Sequence, residues 1–380
     1  MPEGASSSAF TSEGLKINRG AVDTVRELLR TLLESGKVKA VLALGRTGGD
    51  EGGVGYSLFR NPAAFEVNGA ALPLLPFMPA NAGALLSRLT LEGPLPEPVA
   101  AVVRPCELRA SIELAKLSQG YLDNILFISS TCGGVYPLDA GIDGNLEEML
   151  PRYWQAMKQG TLDDKVRPTC RACNNFVPEG ADITVALLGE ADLDEECTLY
   201  VQTERGADFA SCLEGATTEI KQENKVLERS MVQREAFREE LFATVEVGLE
   251  GLIRTFGRCI GCHGCKTVCP ICHCRLCHFD SQDCERPAGF YEGELARKGG
   301  LRVPPDTVYF QLGRMAHMAI SCVGCGMCTD VCPTDIPLST IFSKVGASAQ
   351  AAFDYHPGKD VDEEIPLRTF EEEEFAQVAT

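Results

Sequence analysis

No apolar run in these 380 residues approaches the ~20 that a helix needs to cross a bilayer, so no membrane-spanning segment is expected. Basic charge is also short. Lysine and arginine number 35 against 54 aspartates and glutamates, a net charge of −19. That balance argues against nucleic acid and against an anionic membrane surface as partners, and it suits docking on a complementary protein surface. Met1 to Ser12 has no basic stretch followed by an apolar core, so no secretory signal is read there. No nucleophile–base constellation points to hydrolysis. Cysteine, by contrast, is abundant, with 18 in the chain. Without an export signal, that number points to metal binding in a reducing cytoplasm and not to disulfides. The length suffices for two or three domains, each with its own core.

The cysteines are not scattered. Cys259, Cys262, Cys265 and Cys269-Pro270 read C-x2-C-x2-C-x3-C-P, and Cys322, Cys325, Cys328 and Cys332-Pro333 repeat the string. Two copies of that run mark a bacterial-type two-cluster ferredoxin, in which the fourth cysteine of each run serves the other cluster. The expected sets are therefore Cys259, Cys262, Cys265 and Cys332 for one 4Fe–4S cluster, and Cys322, Cys325, Cys328 and Cys269 for the second. Gly261, Gly264, Gly324 and Gly326 stand between ligands, where positive φ lets backbone N–H groups face cluster sulfurs. Zinc knuckles usually pair their ligands as C-x2-C and do not run four in a row to a proline.

Two further sets remain. Cys272, Cys274, Cys277 and Cys284, with His273 and His278, follow the first run directly; a further cluster, a zinc ion or unused thiols all fit them. Cys106, Cys132, Cys170 and Cys173 lie upstream in three separate segments. They suit a third 4Fe–4S cluster, or else buried filler for Cys106 or Cys132. Cys197 and Cys212 read as structural, and His317 as a packing residue.

The apolar pattern predicts a helix over 21–33 and strands over 38–44, 99–103, 125–129, 183–188 and 198–202. Helices are expected over 82–89 and 108–117. Strand, helix, strand with continuous apolar runs is α/β with a largely parallel sheet. Cys106 and Cys132 then fall just beyond strand carboxyl ends, where sites in open sheets are built. The glycine-rich loop 45–53 matches no Rossmann or P-loop spacing; it is a mobile surface loop or a phosphate cradle and lid. Residues 218–255 read as one long charged helix, an arm able to carry the ferredoxin segment away from the sheet edge. The expected division is a tail over 1–18, the α/β domain over 19–217, the connecting helix over 218–256, an α+β dicluster ferredoxin domain over 257–345, and an acidic tail over 346–380. In that last tail Glu371 to Glu374 form an unbroken run.

Pro105-Cys106-Glu107-Leu108-Arg109, Ile112 to Leu117, Tyr121 to Ile125, Thr131-Cys132-Gly133-Gly134 and Cys170-x2-Cys173 together resemble the beta-subunit family of coenzyme F420 hydrogenases and dehydrogenases. The continuation of the first ferredoxin run from Cys269 to Cys277 resembles the methanogen-type formate dehydrogenase branch. The resemblance implies a flavin-type α/β domain holding FAD beside an iron–sulfur cluster, with Arg104, Glu107, Gly133 and Gly134 at the cofactor. It implies hydride exchange with coenzyme F420 as substrate and single-electron exchange with a catalytic oxidoreductase subunit. That partner would be a formate dehydrogenase, a hydrogenase or a heterodisulfide-reductase-like protein, in a cytoplasmic hetero-oligomer. At the start the family carries a glycine pair and a Thr- or Ser-containing helix, where this chain has Arg19-Gly20-Ala21-Val22-Asp23-Thr24. That departure sets the second reading, a flavin-free adaptor that wires two partner redox enzymes.

Overall fold

The computed structural model describes residues 13–48, 53–142, 146–213, 216–219, 225–366 and 368. An eight-stranded sheet organises the first part of the chain. Its strands are β1 (Glu13–Ile17), β2 (Ala40–Arg46), β3 (Val54–Phe59), β4 (Val99–Val102), β5 (Ile125–Ser130), β6 (Ile183–Val185), β7 (Cys197–Val201) and β8 (Ala216–Glu219), in the order β3-β2-β4-β5-β6-β7-β1-β8. The expected parallel sheet is its centre, β2-β4-β5-β6. Antiparallel strands extend it on both sides, β3 beside β2 and β7-β1-β8 beside β6.

The continuous apolar runs of the central strands follow from burial on both faces. Val41, Ala43, Ala100, Val102, Leu126 and Ile128 point into one core, which α1 (Ala21–Glu34) closes with Val25, Leu28, Leu29 and Leu32. The alternating residues Leu42, Ala101, Val103, Ile125 and Phe127 point into the other, under α2 (Ala82–Thr90) and α3 (Pro105–Lys116). Helices α4 (Leu138–Ile142), α5 (Leu146–Lys158), α6 (Pro168–Arg171) and α7 (Glu204–Ala210) complete this part.

Four expectations are corrected. Residues 13–17 are not tail but an inner strand, because β7 on one side and β8 on the other pair their backbone groups. Residues 1–12 lie outside the described ones. The loop after β2 is the turn of an antiparallel hairpin, closed by Thr47 N–H donating to the Gly53 carbonyl at 2.9 Å, and its centre, 49–52, lies outside the described residues. The single long helix is two, α8 (Lys225–Ala243) and α9 (Gly248–Phe256), interrupted ahead of Gly248 at φ +79°. They pack on different cores, Leu227 of α8 on the sheet's and Phe256 of α9 on the ferredoxin's, so one straight helix could not serve both.

The arm therefore does not carry the ferredoxin segment away. Helices α10 (Gly264–Thr267), α11 (Ala288–Lys298), α12 (Thr307–Met318), α13 (Met327–Asp330) and α14 (Leu338–Ala352) form a unit seated directly on the α/β part. Arg167 pairs with Asp330 at 2.6 Å, and Thr169 and Ser339 share a hydroxyl bond at 2.6 Å. Arg109 donates to the carbonyls of Pro357 at 2.7 Å and Val323 at 3.4 Å.

The fourth correction concerns the last tail, which is not free after 345. Helix α14 runs on to Ala352, and the chain beyond it lies on α3, with Tyr355 and Ile365 buried. Tyr355 Oη donates to Glu113 Oε1 at 2.6 Å, as does Gly358 N–H at 2.7 Å, and Lys116 Nζ lies 3.3 Å from the same oxygen. Glu113 is fully buried. Tyr355→Phe removes one of these donors from a buried carboxylate. It is expected to cost about 1–3 kcal/mol, read as a lower urea midpoint at unchanged slope. Glu371 to Glu374 lie outside the described residues.

Candidate functional site

The carboxyl ends of β4 and β5 each feed directly into a cysteine-bearing turn. After β4, Pro105 occupies the first position of α3, where its missing N–H costs nothing. Glu107, fully buried, accepts from Arg104 N–H at 2.9 Å, Ala82 N–H at 3.0 Å and Tyr56 Oη at 2.6 Å. Arg104 in turn donates to the carbonyls of Leu75 at 2.5 Å and Phe77 at 2.6 Å. This network presents Cys106 and fixes the 73–79 segment over the strand ends. After β5, Thr131 Oγ1 accepts from Leu187 and Leu188 N–H at 2.8 and 2.9 Å, tying the exit of β5 to that of β6. Cys132 follows, and Gly134 N–H donates to its Sγ at 3.3 Å. Gly134 sits at φ +87°, and a Cβ there would stand 2.9 Å from the Cβ of Cys170. Only glycine meets both conditions.

Cys106, Cys132, Cys170 and Cys173 line one cavity. Burial pushes the Cys106 thiol well above its usual range, and Glu107 and neighbouring cysteines push it further. Burial likewise raises Cys170 to about 12, against the pull of Arg167. Four half-buried thiols lining one cavity are a donor set that fits an iron–sulfur cubane.

The same cavity wall includes Gly324 and Cys325 of the ferredoxin unit. Those two residues also line a second cavity, whose cysteines are Cys269, Cys322, Cys325 and Cys328. Cys269 thus lines the cavity of the second run. Burial, followed by Cys325, Cys269 and Cys322, raises Cys328 well above its usual range; burial, then Cys269, raises Cys325 to about 12. On the other side, Gln311 Nε2 lies 3.6 Å from Cys259 Sγ and 3.9 Å from Cys265 Sγ. The ideal Cβ position of Gly264 is 3.8 Å from Cys262 Sγ and 3.6 Å from the carbonyl of Val331, which brings the Cys332 segment against that loop. The two runs match in backbone. Gly261 and Gly324 take φ +65° and +66°, while His263 and Gly326, equivalent in the repeat, are both left-handed. Gly264 instead opens α10.

Cys272, Cys274, Cys277 and Cys284 are not gathered around one ion. Cys272 is half-buried beside Cys269 and Arg314, Cys274 is exposed, and Cys284 Sγ donates to the His278 carbonyl at 3.2 Å. Among the described residues no three His, Cys, Asp or Glu side chains close on a single metal ion. Cubane ligands, each serving a separate corner, are set more widely than that. Cys197 is buried in β7, and His317 is exposed, not packed.

A third cavity opens at the strand ends and shares Arg104, Cys132 and Gly134 with the four-cysteine one. Ser129 lies in its wall, 2% exposed, and its hydroxyl has no partner among the described residues. A buried hydroxyl left open beside Leu75, Ser130 and Tyr153 fits a planar ring with polar edges such as a flavin. Of the four residues expected at the cofactor, Arg104 and Gly134 line this cavity. Glu107 is spent on the network above, and Gly133 is packed against Met157 and Tyr153.

The sequence reading missed the buried arginines. Arg234 donates to the carbonyls of Cys132 at 2.7 Å, Cys170 at 3.2 Å and Cys173 at 3.3 Å. Arg314 donates to Cys265 Sγ at 3.0 Å. A signal existed for Arg314 alone, which stands in the apolar helical stripe Phe310, Arg314, Met318; around Arg234 the stripe is broken by Arg238.

Comparison with known proteins finds matches for both parts of the chain. Residues 97–226 match the model for the C-terminal part of the coenzyme F420 hydrogenase/dehydrogenase beta subunit, and residues 255–336 that of the 4Fe–4S dicluster domain. The chain is 28% identical to the F420-dependent formate dehydrogenase subunit beta of Methanocaldococcus jannaschii, over 94% of its own length and 96% of the relative's. It is also 28% identical to F420-dependent formate dehydrogenase 1 subunit beta of Methanococcus maripaludis, over 70% of its length and 74% of the relative's. A chain of the F420-reducing [NiFe] hydrogenase complex from Methanosarcina barkeri superposes with a TM-score of 0.43 at 13% identity, covering 63% of this chain and 94% of that one. No helix among the described residues is long and apolar enough to cross a membrane. The chain thus joins a segment that matches the coenzyme F420 hydrogenase/dehydrogenase beta-subunit family, residues 97–226, to one that matches the 4Fe–4S dicluster domain, residues 255–336.

Proposed function

We propose that the chain is the flavin iron–sulfur electron-transfer subunit of a cytoplasmic F420-linked oxidoreductase of the formate dehydrogenase or hydrogenase kind. The observation that carries this is the sharing of cavity walls. The strand-end cavity adjoins the four-cysteine cavity through Cys132, and that cavity adjoins the Cys322 set through Cys325. FAD in the first would supply exchange of hydride with a soluble deazaflavin and of single electrons with the cubanes. Ser129 and Arg104 would hold its ring. Cys106, Cys132, Cys170 and Cys173 would hold one cubane, and the eight dicluster cysteines two more, with crossed ligation.

The exit lies at the other end. Cys262 is exposed and Ile260 is 52% exposed, so the Cys259 loop reaches the surface. Leu249, Ile253, Leu276 and Leu301, in the chain before and after that loop, are exposed as well, apolar surface suited to a catalytic partner in a hetero-oligomer. Its relatives are named as beta subunits, which supports the same reading.

Anaerobic reconstitution of the full chain tests the proposal. Flavin released by acid precipitation and iron sufficient for three cubanes are expected. Absence of flavin would leave the adaptor reading in its place, and iron for only two cubanes would remove the Cys106 site.

A further inference from the structure

Arg234 is buried to 2% exposure in α8, at the back of the four-cysteine cavity. A guanidinium taken out of water at that depth needs a negative partner. Among the described residues no carboxylate pairs with it. Its N–H groups go to the carbonyls of Cys132, Cys170 and Cys173 and to Ser230 Oγ at 3.2 Å, while its face lies 4.0 Å from the Phe176 ring centroid. All these partners are neutral. The nearest groups able to bear negative charge are the thiols of the three cysteines whose carbonyls it binds, and each of them lowers the cost of its burial.

We propose that Arg234 is the fixed counter-charge of a cubane on Cys106, Cys132, Cys170 and Cys173, holding that cluster's potential above the value its thiolates alone would set. The inference rests on the proposed cubane at that site. Four thiolates give a cubane net negative charge, and reduction adds one electron and one more unit of it. A fixed cation at the ligand backbone stabilises the reduced form more than the oxidised form, so it raises the potential. Three bonds to ligand carbonyls hold the cation in place and would keep this effect constant through turnover. Arg234 is thus a tuning and positioning residue, and it explains why a long charged helix turns an arginine, and not a leucine, toward the core.

The test is an EPR-monitored redox titration of the full chain carrying Arg234→Gln and Arg234→Lys, with iron counted in each. For Arg234→Gln the midpoint of the four-cysteine cluster is expected to fall by a tenfold shift in the one-electron equilibrium, about 59 mV, with both dicluster midpoints unchanged. Arg234→Lys keeps the charge and is expected to stay near the wild-type midpoint. Full iron and an unchanged midpoint in Arg234→Gln overturn the proposal, as does an equal fall in both variants. Should the Gln variant lose its iron, the Lys variant decides. A retained cluster at the wild-type midpoint supports the counter-charge, because lysine keeps the charge but not the planar fork that spans the three carbonyls; loss in both makes Arg234 a structural clamp only. Iron for two clusters in the wild-type chain would instead remove the cubane reading itself.

Discussion

Cys269→Ser is expected to abolish or convert the cluster of Cys322, Cys325 and Cys328 and to leave that of Cys259, Cys262 and Cys265 intact. In sequence Cys269 closes the first run, so a reading by proximity gives the opposite result. In space it lines the cavity of Cys322, Cys325 and Cys328. Cys332 would make the reciprocal crossing, since the Val331 carbonyl beside it packs on the Gly264 loop. The reason is geometric. Three ligands on one tight loop grip one cubane, and the next residues have already turned along α10 toward the neighbouring one. Iron content should fall by up to one cluster, and the EPR signal lost should be the one that Cys322→Ser also removes. Loss of the Cys259 signal with the other retained would sink the crossing.

The second large effect is expected at the junction between the two units. Arg167→Ala should destabilise the chain by about 3–5 kcal/mol, because it strands Asp330 in a buried site. Arg167 is 1% exposed, and its side chain also donates to the carbonyls of Cys325 and Met78, each at 3.2 Å. Among the described residues Asp330 would keep only the N–H of Leu138, at 3.1 Å. Burial already holds the Asp330 carboxyl above the usual range, with Arg167 opposing it. A raised folded pKa means that the folded state binds the proton more tightly, so this group's contribution is lost as pH rises through that pKa. Removing Arg167 strengthens the shift, and the variant's deficit should deepen from about pH 4 toward neutrality. Replacing both partners with apolar residues should restore most of the loss. Urea unfolding of the cluster-loaded single and double variants checks this, and a single-variant loss below about 1 kcal/mol would show the pair to be as weak as an exposed one.

The junction matters for function because Arg167 bridges the loops of two proposed clusters, touching the Cys325 carbonyl and lying three residues before Cys170. The same contacts replace the picture of an extended arm with a direct stack. They also explain why the chain after 345 is docked: Tyr355 and Gly358 supply the donors that buried Glu113 needs.

Much of this was legible in the residues alone. The dicluster run is recognisable because its ligands are local; a few residues of fixed spacing determine the loop whatever surrounds it. The central strands are legible because burial on both faces writes an unbroken apolar run, as in Val99 to Val103. What the sequence could not determine depends on partners far along the chain. β1 is five residues with only Ile17 deeply buried among its larger apolar side chains, and its place in the sheet comes from β7, some 180 residues later. The break before Gly248 reflects two cores that a charged helix must serve in turn. Arg234 looks like any surface arginine of α8 until Cys132, Cys170 and Cys173 are folded against it. Local spacing alone was enough to mark the 4Fe–4S dicluster segment and to propose its ligands. Only the tertiary structure decided how the cavities adjoin, because local spacing sets a ligand loop, while adjacency is set by long-range packing and by the search of every buried charge for a partner.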